Sequence, residues 1–283
     1  MRVSLKRDSL EAILAPDVGG AVAAFRVDGR PVFHPDALRA WGAPGLGEFP
    51  MGPYVNRIAG GRFRWRNEAI ALPRNAPDHP HPLHGVGWQA AWACTVMDQN
   101  AARMTMHSPA CAAWPWAVTM TRTFILHPDA LQIDFALTND DARPMPAAIG
   151  LHPYFPAAGA VLRLHAQALW ETTPDGIPTH SSHPPVLDKL RGGSAVETLS
   201  LDHCLAGWDG AAEIEWPDLR LRIETVPSQR FVQVYAPPGA DFFCVEPQTS
   251  APDAVNRGDA FELAAGETLA FTTRFAVLAR RRT

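Results

Sequence analysis

Val118-Thr119-Met120-Thr121-Arg122-Thr123-Phe124-Ile125-Leu126-His127-Pro128-Asp129-Ala130-Leu131-Gln132-Ile133-Asp134-Phe135-Ala136-Leu137-Thr138 reads as two strands and the turn between them. Leu131, Ile133, Phe135 and Leu137 alternate with Gln132, Asp134, Ala136 and Thr138, the two-residue period of a half-buried strand. Val118, Met120, Arg122, Phe124 and Leu126 form a second alternating run before it. His127-Pro128-Asp129-Ala130 supplies turn residues between the runs, so the segment is expected to be an antiparallel hairpin.

The same period recurs outward from this hairpin. Leu219, Leu221 and Ile223 alternate, as do Val232 and Val234 on one face and Phe231, Gln233 and Tyr235 on the other. Phe242, Cys244 and Glu246 share a face, with Phe243 and Val245 opposite, and Phe271, Thr273, Phe275 and Val277 make a late strand. No segment carries a helical stripe beyond about two turns, although Ala251 to Asp259 has room for one short turn of helix. Proline is abundant, 27 of 283 residues, which leaves little space for long helices. Trp41–Gly52 and Pro73–His84 read as long loops, and loops of that length in a compact fold are often functional. With no composition shift and no repeat, residues 1–283 read as one all-β domain, a large antiparallel β-sandwich.

Composition narrows the function classes. Apolar residues are 47% and charged residues 19%, a globular balance that excludes global disorder. A net charge of −4 offers no basic field for phosphates, so nucleic acid is not an expected partner. No apolar run approaches the roughly 20 residues of a membrane helix, and the charged N-terminus is unlike a signal peptide, so a cytoplasmic location is expected. The four cysteines, Cys94, Cys111, Cys204 and Cys244, are scattered without a CxxC pair and are expected to be reduced and mostly buried.

Three segments concentrate polar groups. In the first, Asn56 and Arg57 offer an amide and a rigid donor fork; the pair suits sugar hydroxyls, and pinning a loop is the plainer use. The second, Asp78-His79-Pro80-His81-Pro82-Leu83-His84-Gly85, places three histidines within six residues. Imidazole is a common metal ligand, but the prolines restrain the backbone and no further ligand follows at strand spacing, so no metal is expected. The third comprises His152-Pro153 and Glu246-Pro247. Proline drives the residue before it into extended backbone, pinning each ionisable group beside an apolar approach, where burial would raise the pKa of the glutamate. General acid–base chemistry needs such tuning; read singly, each residue has a structural use. No GxGxxG, P-loop, nucleophile elbow or HExxH occurs, and the nine tryptophans suit a sandwich core.

Taken in order, Asn56-Arg57-Ile58, Leu83-His84-Gly85, His152-x-Tyr154-Phe155, Leu201-Asp202-His203, Val232-Gln233-Val234-Tyr235 and Glu246-Pro247-Gln248-Thr249 resemble the aldose 1-epimerase (galactose mutarotase) family. Ala15-Pro16-Asp17-Val18-Gly19-Gly20 and Leu263-Ala264-Ala265-Gly266-Glu267 resemble its opening and closing strands, so the similarity spans nearly the whole chain. The sequence departs from the family at Val86, where a second glycine often follows His-Gly, and at Pro156, which replaces an asparagine. The resemblance implies the galactose mutarotase-like supersandwich and an isomerase that interconverts α and β anomers of a free aldose. It implies Glu246 as catalytic base and His152 as catalytic acid. Asn56, Arg57, His84, Tyr154, Asp202 and Gln233 correspond to sugar-binding positions. The reaction involves no redox change or phosphoryl transfer, so no cofactor is required, and the partner is a small sugar. A hexose-6-phosphate epimerase and a non-catalytic carbohydrate-binding protein of this fold remain alternatives, and the sequence leaves the oligomeric state open.

Overall fold

The computed structural model describes residues 1–35 and 46–280. Two large sheets pack face to face. The first has eleven strands; from one edge it runs Val3–Arg7, Leu10–Ala15, Ala21–Val27, Glu48–Met51, Gly150–Pro156, Phe242–Gln248, Phe231–Ala236, Leu201–Ala206, Ala168–Thr172 and Pro178–Ser182, and the short Arg30–Pro31 strand pairs with Ala21–Val27. The second has nine, with Val118–Leu126, Ala130–Asn139, Thr268–Arg280 and Leu219–Val226 side by side. The paired strands of both sheets run antiparallel, so the chain is an all-β antiparallel sandwich.

The hairpin forms as its sequence requires. Val118 lies opposite Asn139 and Leu126 opposite Leu131, and burial alternates along both strands. Their inner residues, Phe124, Ile133 and Phe135, join a core with Phe155, Phe243 and Phe275. The two sheets interlock through aromatic edges: Phe275 meets Phe33 at 5.0 Å and Phe155 at 6.4 Å between ring centroids. Arg122 occupies an inner position among these apolar groups and is fully buried, bonded through Nη2 to both carboxylate oxygens of Glu48 on the opposite sheet.

Helix is scarce, as the prolines require. The short turn expected near Ala251–Asp259 is the helix Ala254–Arg257. Val186–Gly192 forms a second short helix, burying Leu187 and Leu190. No helix among the described residues is long and apolar enough to cross a membrane.

Two expectations need correction. The Trp41–Gly52 stretch is not all loop. Residues 41–45 lie outside the described residues, and Glu48–Met51 is a strand in the interior of the first sheet. All four of its residues are buried, so it shows no alternation to read. The cysteines are all free, as expected in a reduced chain, but only Cys204 and Cys244 are buried; Cys94 is half-buried and Cys111 exposed.

Candidate active site

Strand register brings the distant motifs together. Phe49 lies opposite His152, and Gln233 opposite Glu246. Two residues along, Tyr154 lies opposite Cys244, Cys244 opposite Tyr235, and Tyr235 opposite Asp202. Side chains two apart on a strand share a face. The sheet therefore presents two adjoining rows, Phe49–His152–Glu246–Gln233 and Tyr154–Cys244–Tyr235–Asp202, on one surface. Gly150 opposite Gln248 and Tyr154 opposite Cys244 bracket the His152–Glu246 position. Pro153 and Pro247 flank it and have no N–H to give the ladder.

The rows floor a hollow of about 200 Å³ lined by, among others, Asn56, Arg57, His84, His152, Tyr154, Asp202, Gln233 and Glu246. All eight site residues expected from the sequence thus face one cavity. His152 Nε2 stands 3.3 Å from Glu246 Oε1, and the two side chains are only 8% and 2% exposed. The His152 ring packs against Phe49 and Tyr154, with centroids 4.5 and 4.6 Å away, and meets the His84 ring edge-on at 5.2 Å.

Burial governs the titration of this pair. Loss of water pushes the Glu246 carboxyl well above its ordinary range; Asp202 adds to the rise and Arg57 opposes it. Burial lowers His152 to about 3. Both effects favour the neutral forms, a protonated Glu246 beside an unprotonated His152, rather than the carboxylate and imidazolium that mutual attraction alone would give. His84 is likewise held well below its usual value by burial, with His152 and Arg57 adding to the effect.

Two loops roof the rows. Asn56 and His84 adopt left-handed backbone, at φ 53° and 56°, a conformation that non-glycine residues rarely take and that clusters at functional sites. The loops hold one another: the His84 N–H donates to Asn56 O, the Gly52 N–H to His84 O, and Arg57 forms a bridge with Leu83. Gly85 is obligatory here, because a Cβ would lie 2.0 Å from Gly52 O. Arg57 donates from Nη1 to Asn56 Oδ1 at 3.1 Å and from Nη2 to Asp202 Oδ2 at 3.2 Å. Gln233 Nε2 donates to the other Asp202 oxygen at 2.7 Å. Asp202 therefore braces the two donors on either side of it.

His79, His81 and His84 do not converge. His81 accepts the Gly60 N–H at Nδ1, which leaves Nε2–H to donate to Asp175 at 3.0 Å. His79 and His84 line the hollow. His84 Nδ1, His152 Nδ1, Gln233 Oε1 and Glu246 Oε2 are buried without a protein partner. Buried polar groups normally have one, so this constellation is fitted to a polar ligand with several hydroxyls or ring oxygens.

Sequence reasoning missed Phe49, Leu83, Tyr235 and Phe242 as site residues and weighed His79 only as a metal ligand, although all five line the hollow. Tyr235 is two residues from Gln233, and Phe242 four from Glu246, so the strand period carried a usable signal for both. Phe49 gave none, because its place depends on long-range pairing. Among the described residues the aromatic wall is phenylalanine and tyrosine, not tryptophan.

The sequence matches the family model for aldose 1-epimerases over residues 1–276. It is 30% identical over 268 residues to the uncharacterized protein YphB of Escherichia coli K12, covering 89% of this chain and 90% of that one. The fold superposes on a candidate aldose 1-epimerase from Escherichia coli K12 with TM-score 0.89 and 26% identity, covering 98% of each chain. A galactose mutarotase-like protein from Clostridium acetobutylicum gives TM-score 0.86 at 17% identity, covering 98% of this chain and 94% of that one. The chain belongs to the aldose 1-epimerase family.

Proposed function

We propose that the protein interconverts the α and β anomers of a free aldose by general acid–base ring opening and closure. Glu246 and His152 act as the proton-transfer pair, and Asn56, Arg57, His84, Tyr154, Asp202 and Gln233 bind the sugar. The observation that carries this reading is the 3.3 Å approach of His152 Nε2 to Glu246 Oε1 inside one polar hollow.

The proton inventory fits the reaction. Protonated Glu246 with neutral His152 holds the same single proton as carboxylate with imidazolium. The two states differ only by moving that proton across the pair, and Arg57 favours the carboxylate. In the second state Glu246 takes the proton of the anomeric hydroxyl while His152 delivers one to the ring oxygen. The C1–O5 bond breaks and the aldehyde forms. Rotation about C1–C2 presents the other carbonyl face, closure reverses both transfers, and the pair returns with its original proton. Arg57, braced by Asp202, and His84 act as donors that hold oxygens near the reacting centre.

A neutral sugar suits the charge of the hollow better than a sugar phosphate. Arg57 is already matched by Asp202 at 3.2 Å, and among the described residues no lysine lines the cavity. Polarimetry on freshly dissolved α-anomers of a panel of aldoses tests the reading. Catalysed approach to the anomeric equilibrium for at least one free sugar is expected; rates equal to those without protein across the whole panel would overturn it.

A further inference from the structure

We propose that the same hollow binds a thiophilic divalent cation, Zn²⁺ above all, through His152, Cys244 and Glu246, and that the bound cation excludes the sugar. The three residues offer one nitrogen, one sulfur and one carboxylate oxygen, all within 4.8 Å of one another. Register makes the set: Glu246 and Cys244 are two apart on one face of a strand, and Cys244 sits opposite Tyr154, two residues from His152.

The geometry is close to a tetrahedral zinc site. Zinc binds imidazole and carboxylate at about 2.0 Å and thiolate at about 2.3 Å, so its nitrogen and oxygen ligands stand roughly 3.3 Å apart. His152 Nε2 and Glu246 Oε1 are 3.3 Å apart in the protein. The Cys244 sulfur lies within 4.8 Å of both other ligand atoms, within a side-chain rotation of the ~3.5 Å that a thiolate keeps from its fellow ligands. His152 and Glu246 line the hollow, so a fourth ligand would reach the ion from that side as water.

Glu246 Oε2 is buried without a protein partner, on a side chain more than nine-tenths buried, so it has a lone pair to offer a cation. Binding exchanges the Glu246 and Cys244 protons for the dication, releasing two protons to solvent. A mixed nitrogen, sulfur and oxygen set selects zinc, or cobalt in its place, over magnesium or calcium. Binding stands independently of the proposed reaction; only the inhibition rests on it, because the ion would occupy both proton carriers.

Co²⁺ titration of the Cys94→Ser/Cys111→Ser protein provides the test, since those changes remove the two thiols that are not fully buried. One equivalent should produce a sulfur-to-cobalt charge-transfer band that excess Zn²⁺ displaces and Cys244→Ser abolishes. Loss of a direct ligand in Glu246→Gln should weaken Co²⁺ by more than the ~10–100-fold associated with losing a group that merely orients one. Saturating aldose should suppress the band. In activity assays Zn²⁺ should compete with sugar, and its inhibition of Cys244→Ser, taken relative to that variant's own rate without zinc, should weaken at least about tenfold. No band at saturating cobalt, or a band unchanged in Cys244→Ser, overturns the site. If the serine variant fails to fold by circular dichroism, the unsubstituted Cys244 protein decides: a band that survives saturating sugar overturns the proposal. A sound cobalt site in a protein without mutarotation would sink the function proposed above and leave the metal site standing.

Discussion

Glu246 follows four apolar residues and precedes a proline, and in the folded protein its carboxyl is almost wholly removed from water. A carboxyl so placed keeps its proton unless a partner takes it, and His152 is the imidazole within reach. Removing the titratable oxygen while keeping the shape separates binding from chemistry. Glu246→Gln is expected to lower kcat by roughly 10²–10⁴-fold, the usual worth of one general acid–base group, with sugar binding largely kept. His152→Ala should give a comparable loss. Polarimetric kcat with sugar affinity measured by NMR on the same variants checks both; a fall in affinity equal to the fall in kcat would mean that the pair binds rather than moves protons. In the sequence, the two X-Pro steps and apolar approaches singled out both residues, each with a structural use, and the family resemblance alone joined them as a pair. The sequence did not carry the ionisation state, because that depends on how completely the rows and roof exclude water, a property of packing rather than of neighbours in the chain.

Strands and loops explain which parts of the site were legible. Period-two alternation marked the hairpin and the strands bearing Gln233 and Glu246, because one face of each strand is polar or less buried. It was silent on Glu48–Met51, buried throughout, and with that strand Phe49 was lost. The turn joining Ala168–Thr172 to Pro178–Ser182 was equally unreadable as part of the site, since its role is visible only in contact. Its Asp175 accepts from His81, and its Gly176, at φ 84°, lies so close to Arg57 that a Cβ would stand 2.7 Å from the guanidinium carbon. This turn backs the arginine and fixes where its fork points. Gly176→Ala should therefore displace Arg57 from Asp202, raising KM about tenfold, the equivalent of 1.4 kcal/mol, with a smaller change in kcat. The backbone strain of an alanine at positive φ should cost on the order of 1 kcal/mol of stability. Steady-state kinetics beside a denaturant titration distinguishes the two effects; unchanged KM with lowered stability would reduce the turn to a structural role.

A buried ion pair between Arg122 and Glu48 crosses the sandwich. Arg122, on an inner position of the hairpin, reaches the opposite sheet, where its Nη2 donates to Glu48 Oε1 and Oε2 at 2.6 and 2.7 Å and its Nη1 to Gly20 O at 2.5 Å; both charged side chains are fully buried. Attraction at this distance in a dry interior must offset the loss of hydration of two ions, and the balance is often near zero. The Arg122 Nε has no partner, so the solvation of the guanidinium is only partly replaced. What the pair fixes is position: Glu48 immediately precedes Phe49, whose ring packs on His152, so the contact ties the floor of the hollow to the far sheet. Removing one ion leaves the other buried and unmatched. Arg122→Met should therefore destabilise the protein by about 3–5 kcal/mol. Glu48→Leu/Arg122→Met removes both charges and should recover most of that loss, since an apolar replacement of a buried pair is commonly neutral or stabilising. Denaturant unfolding of the wild type, both single variants and the double variant measures the coupling. A double variant no more stable than Arg122→Met would show that the arginine acts through its bond to Gly20 rather than through Glu48.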